Sequence, residues 1–121
     1  MVIKRINHDF TVCKVPDYSQ VNIEREYCFT GKTDEEKSLV CLTECVPGNA
    51  DERDDGWKAF RIQGTLDFSL IGILSKISTL LADNEIGIFA ISTYNTDYIL
   101  IKKQNFEKAI TVLSGAGYQV V

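Results

Sequence analysis

The sequence predicts an α+β fold with two helices on one face of an antiparallel sheet. Residues Trp57–Val121 read as strand, helix, strand, strand, helix, strand. Two polar turns, Leu66–Ile71 and Ser92–Asp97, punctuate that order. The strand segments carry a period of two and the helical segments a period near 3.6, so each type is distinct from its neighbours. The βαββαβ order is ferredoxin-like.

The elements follow in chain order. Residues 1–8 read as a leader with no commitment to structure. Asp9–Val15 alternates, with Phe10, Val12 and Lys14 on one side and Thr11, Cys13 and Val15 on the other, which is strand period. Pro16-Asp17 stops it, and Tyr18–Ile23 has room for a short helical turn. Glu26–Thr30 reads as a second strand and Ser38–Val46 as a third, joined by the charged turn Gly31–Lys37. Pro47–Gly56 is the strongest linker signal.

Trp57–Thr65 is the first strand of the later unit, and Gly64 near its end suggests close backbone approach. From Ser69 to about Asn84, Leu70, Ile73, Leu74, Ile77 and Leu81 form one helical stripe, with Asp67 or Ser69 as N-cap. Ile86–Tyr94 is apolar on both faces, the mark of a central strand. Asn95-Thr96 reverses the chain into Asp97–Lys103. Asn105 caps a second helix with Phe106, Ile110 and Leu113 on its buried face, ended by Gly115 or Gly117 before a short strand at Tyr118–Val121. The two halves rhyme loosely, and the predicted organisation is an abbreviated unit with its acidic linker at 1–56 and a full unit at 57–121.

Composition narrows the function. The chain of 121 residues is 45% apolar and 25% charged, the balance of an ordinary globular protein. A net charge of −4, with scattered basic residues, argues against nucleic acid as a partner. The longest nearly apolar run, Leu70–Ala82, is too short and too polar to span a bilayer, so no membrane partner is expected. The first residues lack the apolar core of a secretory signal, so the expected location is cytoplasmic. Cys13, Cys28, Cys41 and Cys45 are read as reduced small hydrophobes. On a strand, Cys41 and Cys45 would share a face about 13 Å apart, too far to bridge. With His8 the single histidine, neither a zinc site nor a nucleophilic triad is expected, and no cofactor or catalytic residue is assigned.

The two polar turns are the candidate site. A helix beginning after Asp67 would present amides without intrahelical partners, a setting that prefers a carboxylate. Gly72, early in that helix, either admits a ligand or another backbone, or clears space for helix–sheet packing. In Ser92-Thr93-Tyr94-Asn95-Thr96-Asp97-Tyr98, Asp97 either accepts from a ligand cation or, with Asn95, serves its own backbone.

Asp67, Gly72-Ile73-Leu74, the helix to Leu81 and then Asn84-Glu85-Ile86-Gly87-Ile88-Phe89-Ala90-Ile91-Ser92-Thr93 together resemble the ACT domain, a small amino-acid-sensing module known from aspartate kinase and other biosynthetic enzymes. Leu66–Leu70 and Ser92–Tyr98 look like the stand-alone subgroup that resembles the regulatory tail of aspartate kinase. The resemblance covers Trp57–Val121, and reaches the earlier half through Thr33–Val40, which looks like an abbreviated first repeat. The five residues from Asp67 to Gly72 exceed the family's usual gap. The resemblance implies a free amino acid or similar small metabolite as effector. Its α-carboxylate would be held by backbone amides at Asp67, Ser69, Leu70, Ile71 and Gly72, and its amine or side chain by Asn95, Thr96 and Asp97, with Ser38 and Val40 contributing from the abbreviated repeat. A non-catalytic sensor, expected to be a homodimer, is the leading reading. A ligand-free oligomerisation module is the alternative. An acylphosphatase-like hydrolase fits less well, because no arginine stands in the loop after the Trp57–Thr65 strand.

Overall fold

The computed structural model describes residues 1–63 and 72–121. Gly64 and the first residues of the expected long helix lie outside them. The order is β1 (Val2–Lys14), β2 (Phe29–Lys32), β3 (Lys37–Leu42), a single 3-10 turn (Thr43–Cys45), β4 (Glu52–Ile62), α1 (Ile73–Asp83), β5 (Phe89–Ser92), β6 (Asp97–Lys102), α2 (Lys103–Gly115) and β7 (Gln119–Val120). By packing the chain divides into a larger unit, Met1–Asn7 with Lys58–Val121, and a smaller one, His8–Trp57.

In the larger unit the strand order is β7-β1-β4-β6-β5. β5 and β6 pair antiparallel, whereas β7 pairs β1 in parallel. Gln63 N–H donates to Val2 O at 2.9 Å where β1 lies beside the end of β4. The expected leader is therefore a strand. Ile3 and Ile6 are buried, and the partners that make the segment a strand come from 60 and more residues away, where local pattern does not reach. β1 also occupies the place between β4 and β7 that a plain βαββαβ unit leaves closed.

Both helices pack on one face of this sheet. Ile77 and Leu81 of α1 and Phe106, Ala109, Ile110 and Leu113 of α2 share a core with Ile3, Phe60, Ile62, Ile99 and Ile101. Arg5 holds α2 from the sheet side, paired with Glu107 and with its guanidinium 5.5 Å from the Phe106 ring centre. The two helices end alike. Ile86 N–H donates to Leu81 O and Glu85 N–H to Ala82 O, each at 2.9 Å, while Tyr118 N–H donates to Leu113 O and Gly117 N–H to Ser114 O, each at 3.1 Å. Each set is a Schellman closure with a left-handed residue, Glu85 (φ 61°) or Gly117 (φ 98°).

Three expectations are corrected here. The N-cap of α1 is Gly72, at φ 81°, and no described side chain caps the helix. α2 begins at Lys103, directly on the end of β6, so Asn105 lies inside the first turn and is not the cap. β5 is an edge strand with Ala90 and Ser92 exposed, not a central one; β6, with Ile99, Leu100 and Ile101 buried, takes the inner place. The residues from Ile86 to Ile88 precede β5, and Ile86 is buried as part of the helix closure.

In the smaller unit the strand order is β2-β3-β1-β4. β1 pairs antiparallel with β3, placing Cys13 opposite Leu39 and Thr11 opposite Cys41. On the other side Asp51 N–H donates to Lys14 O at 2.8 Å. The expected linker is cut short: β4 starts at Glu52, and its first four residues are exposed. The fully buried Thr11 hydroxyl donates to Asp55 Oδ1 at 2.6 Å, and Thr43 Oγ1 lies 2.9 Å from Thr11 Oγ1. The third strand ends at Leu42, and the residues that extended it in the sequence reading curl into the 3-10 turn.

The hairpins of the two units share a register. Phe29↔Val40, Thr30↔Leu39, Gly31↔Ser38 and Lys32↔Lys37 in one are each displaced by 60 residues from Phe89↔Leu100, Ala90↔Ile99, Ile91↔Tyr98 and Ser92↔Asp97 in the other. The burial along Lys37–Leu42 and Asp97–Lys102 is the same at every position. Thr33 N–H donates to Glu36 O at 2.9 Å, and Thr93 N–H to Thr96 O at 2.8 Å.

Candidate functional site

The β5–β6 turn is built from its own side chains. Tyr94 and Asn95 form the reversal between Thr93 and Thr96, one residue earlier than the sequence suggests. Thr93 Oγ1 donates to Thr96 O at 3.0 Å, and Ser92 Oγ donates to Asp97 Oδ1 at 2.6 Å. Thr96 is 7% exposed, and its hydroxyl donates to Ile62 O at 2.9 Å. That bond seats the turn beside the end of β4. Asn95 is exposed and Asp97 half-buried, so these two present the turn's remaining polar surface to solvent.

Gly72 is exposed, and no described atom lies within 4 Å of where a Cβ would stand. Of the two readings of this glycine, helix–sheet packing finds no support among the described residues. Its left-handed backbone is what glycine supplies, since L side chains rarely adopt that conformation. The amides left without i−4 partners by the helix geometry are those of Ile73, Leu74 and Ser75, and Lys76 N–H makes the first intrahelical bond, to Gly72 O at 2.9 Å. Asp67, Ser69, Leu70 and Ile71 lie outside the described residues.

Ser38 and Val40 belong to the smaller unit. Ser38 is half-buried, and its carbonyl accepts from Tyr18 Oη at 3.0 Å, while Val40 is buried between Val12 and Phe29. By strand alternation both point away from the face that carries Leu39 and Cys41.

That opposite face holds a feature which the sequence reading missed. A cavity of about 240 Å³ opens in the smaller unit, with Arg25, Cys28, Leu39, Cys41, Cys45 and Val46 among its walls. The irregular segment 16–28 covers the strands where the sequence suggested a short helical turn. Arg25 Nη1 donates to Cys45 Sγ at 3.1 Å. The 3-10 turn curls Cys45 back toward Cys41, so the two line one cavity instead of standing apart along a strand. All four cysteines are free, and Cys13 and Cys41 are buried. Burial, reinforced by the neighbouring Cys13, Cys45 and Cys28, pushes the Cys41 thiol up to about 12. Cys13 and Cys28 are also raised, chiefly by burial. The signal in the sequence was the confinement of every cysteine to residues 13–45. Among the described residues no group of His, Cys, Asp and Glu is arranged to hold a metal ion. No described helix is long and apolar enough to cross a membrane.

Residues 52–115, more than half of the chain, match the model of the ACT domain. Among curated proteins nothing matches. Solved structures similar to the chain include a protein of Agrobacterium tumefaciens, 28% identical, with a TM-score of 0.86 over 98% of this chain and 90% of that one. The ligand-free regulatory subunit of aspartate kinase from Thermus thermophilus is 10% identical, with a TM-score of 0.67 over 97% of both chains. Aspartate kinase from Synechocystis is 16% identical, with a TM-score of 0.70 over 99% of this chain and 27% of that one.

Proposed function

The chain belongs to the ACT domain family, and we propose that it is a non-catalytic regulatory protein that binds a free amino acid or a similar small metabolite. The observation that carries the reading is the family match over residues 52–115, which spans both polar turns. The likeness to the regulatory subunit of aspartate kinase supports it at the level of fold. The hairpins in common register, 60 residues apart, support a tandem origin, with the smaller unit as an ACT-like repeat whose helices have been replaced by irregular segments.

In this reading the backbone of residues 67–72 takes the α-carboxylate, while Asn95 and Asp97 take the amine or side chain. Thr96 then acts by fixing the turn, since its hydroxyl is already bonded to Ile62 O. The protein acts in the cytoplasm as a homodimer. A ligand-free oligomerisation module is the second reading, favoured by the edge position of β5.

Thermal shift against the twenty amino acids separates the two. A ligand at 100 times its Kd stabilises the fold by about 2.7 kcal/mol. Asp97→Ala is expected to abolish that shift while leaving the melting temperature of the free protein nearly unchanged, and Ser38→Ala tests the share of the shorter repeat. No shift with any amino acid at millimolar concentration would reject the sensor and leave the oligomerisation module.

A further inference from the structure

The geometry points to a second site: the cavity of the smaller unit is a thiol–disulfide exchange site for small uncharged disulfides, with Cys45 as attacking thiol, Arg25 as its cationic partner and Cys28 as resolving thiol. Four observations converge on it. Cys45 is half-buried at the cavity wall, within reach of solvent. The Arg25 guanidinium already donates to its sulfur at 3.1 Å, so it is placed to bind that sulfur once it carries charge. Cys28 is likewise half-buried and lines the same cavity. Cys13, at 5% exposure, is not among the cavity walls, and Cys41, which is, exposes only 4% of its surface, so both are less accessible than Cys45. The cavity itself sets the substrate class. Its volume of about 240 Å³ falls below the ~300–1,000 Å³ of pockets for drug-sized ligands, which favours a small reagent. Glu26 and Glu44 also line it, and their carboxylates disfavour an anionic reagent.

The reaction is balanced by the disulfide itself. The Cys45 thiolate attacks one sulfur of RSSR, forming the Cys45–S–SR bond and releasing RS⁻, which takes up the proton that Cys45 gave to solvent. Cys28, as its proton passes to solvent, then attacks the Cys45 sulfur, forming the Cys28–Cys45 bond, breaking Cys45–S–SR and releasing the second RS⁻, which takes up a proton in turn. The protein loses two electrons and two protons, and RSSR becomes two RSH. The resulting bond between Cys28 and Cys45 ties the irregular segment 16–28 to the 3-10 turn and closes the cavity.

Hydroxyethyl disulfide is the probe, with intact mass and peptide mapping as the readout on the folded protein. The wild type is expected to lose two hydrogens and yield one crosslinked peptide containing Cys28 and Cys45. Cys28→Ser is expected to stop at a mixed disulfide on Cys45, and Cys45→Ser to stay unmodified over the same time. Arg25→Gln, an exposed position, is expected to react at least about threefold more slowly through loss of a charge-assisted bond, and Arg25→Lys to recover part of the rate. Oxidised glutathione, anionic and larger, is expected to react more slowly than the probe. Protein unfolded in denaturant, where all four thiols react alike, supplies the baseline. Modification of Cys13 or Cys41 at the rate of Cys45, an unchanged rate in Arg25→Gln, or a mixed disulfide that persists in the wild type would overturn the assignment.

Discussion

Replacing Thr96 by valine isolates the bond that joins the β5–β6 turn to the end of β4. Valine keeps the shape and β-branching of threonine and removes only the hydroxyl. The lost bond to Ile62 O is 2.9 Å long at a residue 7% exposed, so the carbonyl loses a donor that water replaces poorly. A net hydrogen bond is worth about 1 kcal/mol, and a carbonyl left short of donors adds to it, for an expected loss of about 1–2 kcal/mol. In a chain of 121 residues this lowers Tm by roughly 4–8 °C. Urea titration followed by far-UV circular dichroism gives the free energy directly, with an unchanged m-value as the check that the compactness of the folded state is preserved. Thr96→Ser, which retains the donor, is expected to recover most of the loss. A Thr96→Val protein within about 0.3 kcal/mol of wild type would show that the bond contributes nothing, and the turn would then have no fixed seat beside β4.

Other consequences follow from the same physical terms. Glu85→Gly places glycine at φ 61°, where an L side chain is strained, and is expected to stabilise the protein by about 1 kcal/mol by thermal melt. Gly72→Ala, at φ 81°, is expected to cost about 1 kcal/mol by the same measurement and for the converse reason. Arg5→Ala removes both the Glu107 pair and the cation over Phe106, and is expected to cost about 1 kcal/mol by urea titration, part of it lost in high salt. The Cys41 thiol, at about 12 when folded against 9.0 when free, resists ionising in the native state. The stability this represents is present below pH 9 and is lost as pH rises toward 12, so Cys41→Ala is expected to flatten the alkaline limb of a stability–pH profile.

The sequence disclosed the larger unit more fully than the smaller. Its helices carry stripes, Ile77 with Leu81 and Phe106 with Ile110 and Leu113, that can bury in only one direction. Its hairpin was visible because Thr93–Asp97 is polar between two apolar runs. What stayed hidden depended on distant partners. Val2–Asn7 is a strand because Gln119 and Val120 lie alongside it, and nothing near residue 2 announces that. Ile86–Tyr94 looked central because it is apolar on both sides, yet only four of its residues join the sheet, and Ile86 serves the helix closure instead. In the smaller unit Leu42 ends the strand although the β-formers continue, because Thr43–Cys45 closes a 3-10 turn. That turn gathers the cysteines, which is why spacing along an ideal strand misplaced Cys45. Of the candidate site, Asn95, Thr96 and Asp97 were legible as a turn, but the seat of Thr96 on Ile62 joins positions 34 residues apart and has no local signature.

The parallel pairing of Val2 with Gln119 and Ile3 with Val120 bears on how the molecule comes into being. On a ribosome Val2 and Ile3 are made long before Gln119 and Val120, so one flank of β1 must wait for β7 to emerge. Ile3, fully enclosed in the finished fold, is therefore open to solvent on that side until β7 has been made. Loss of either Val2–Ile3 or Gln119–Val120 would strip the same seam, so these two distant segments form one structural joint.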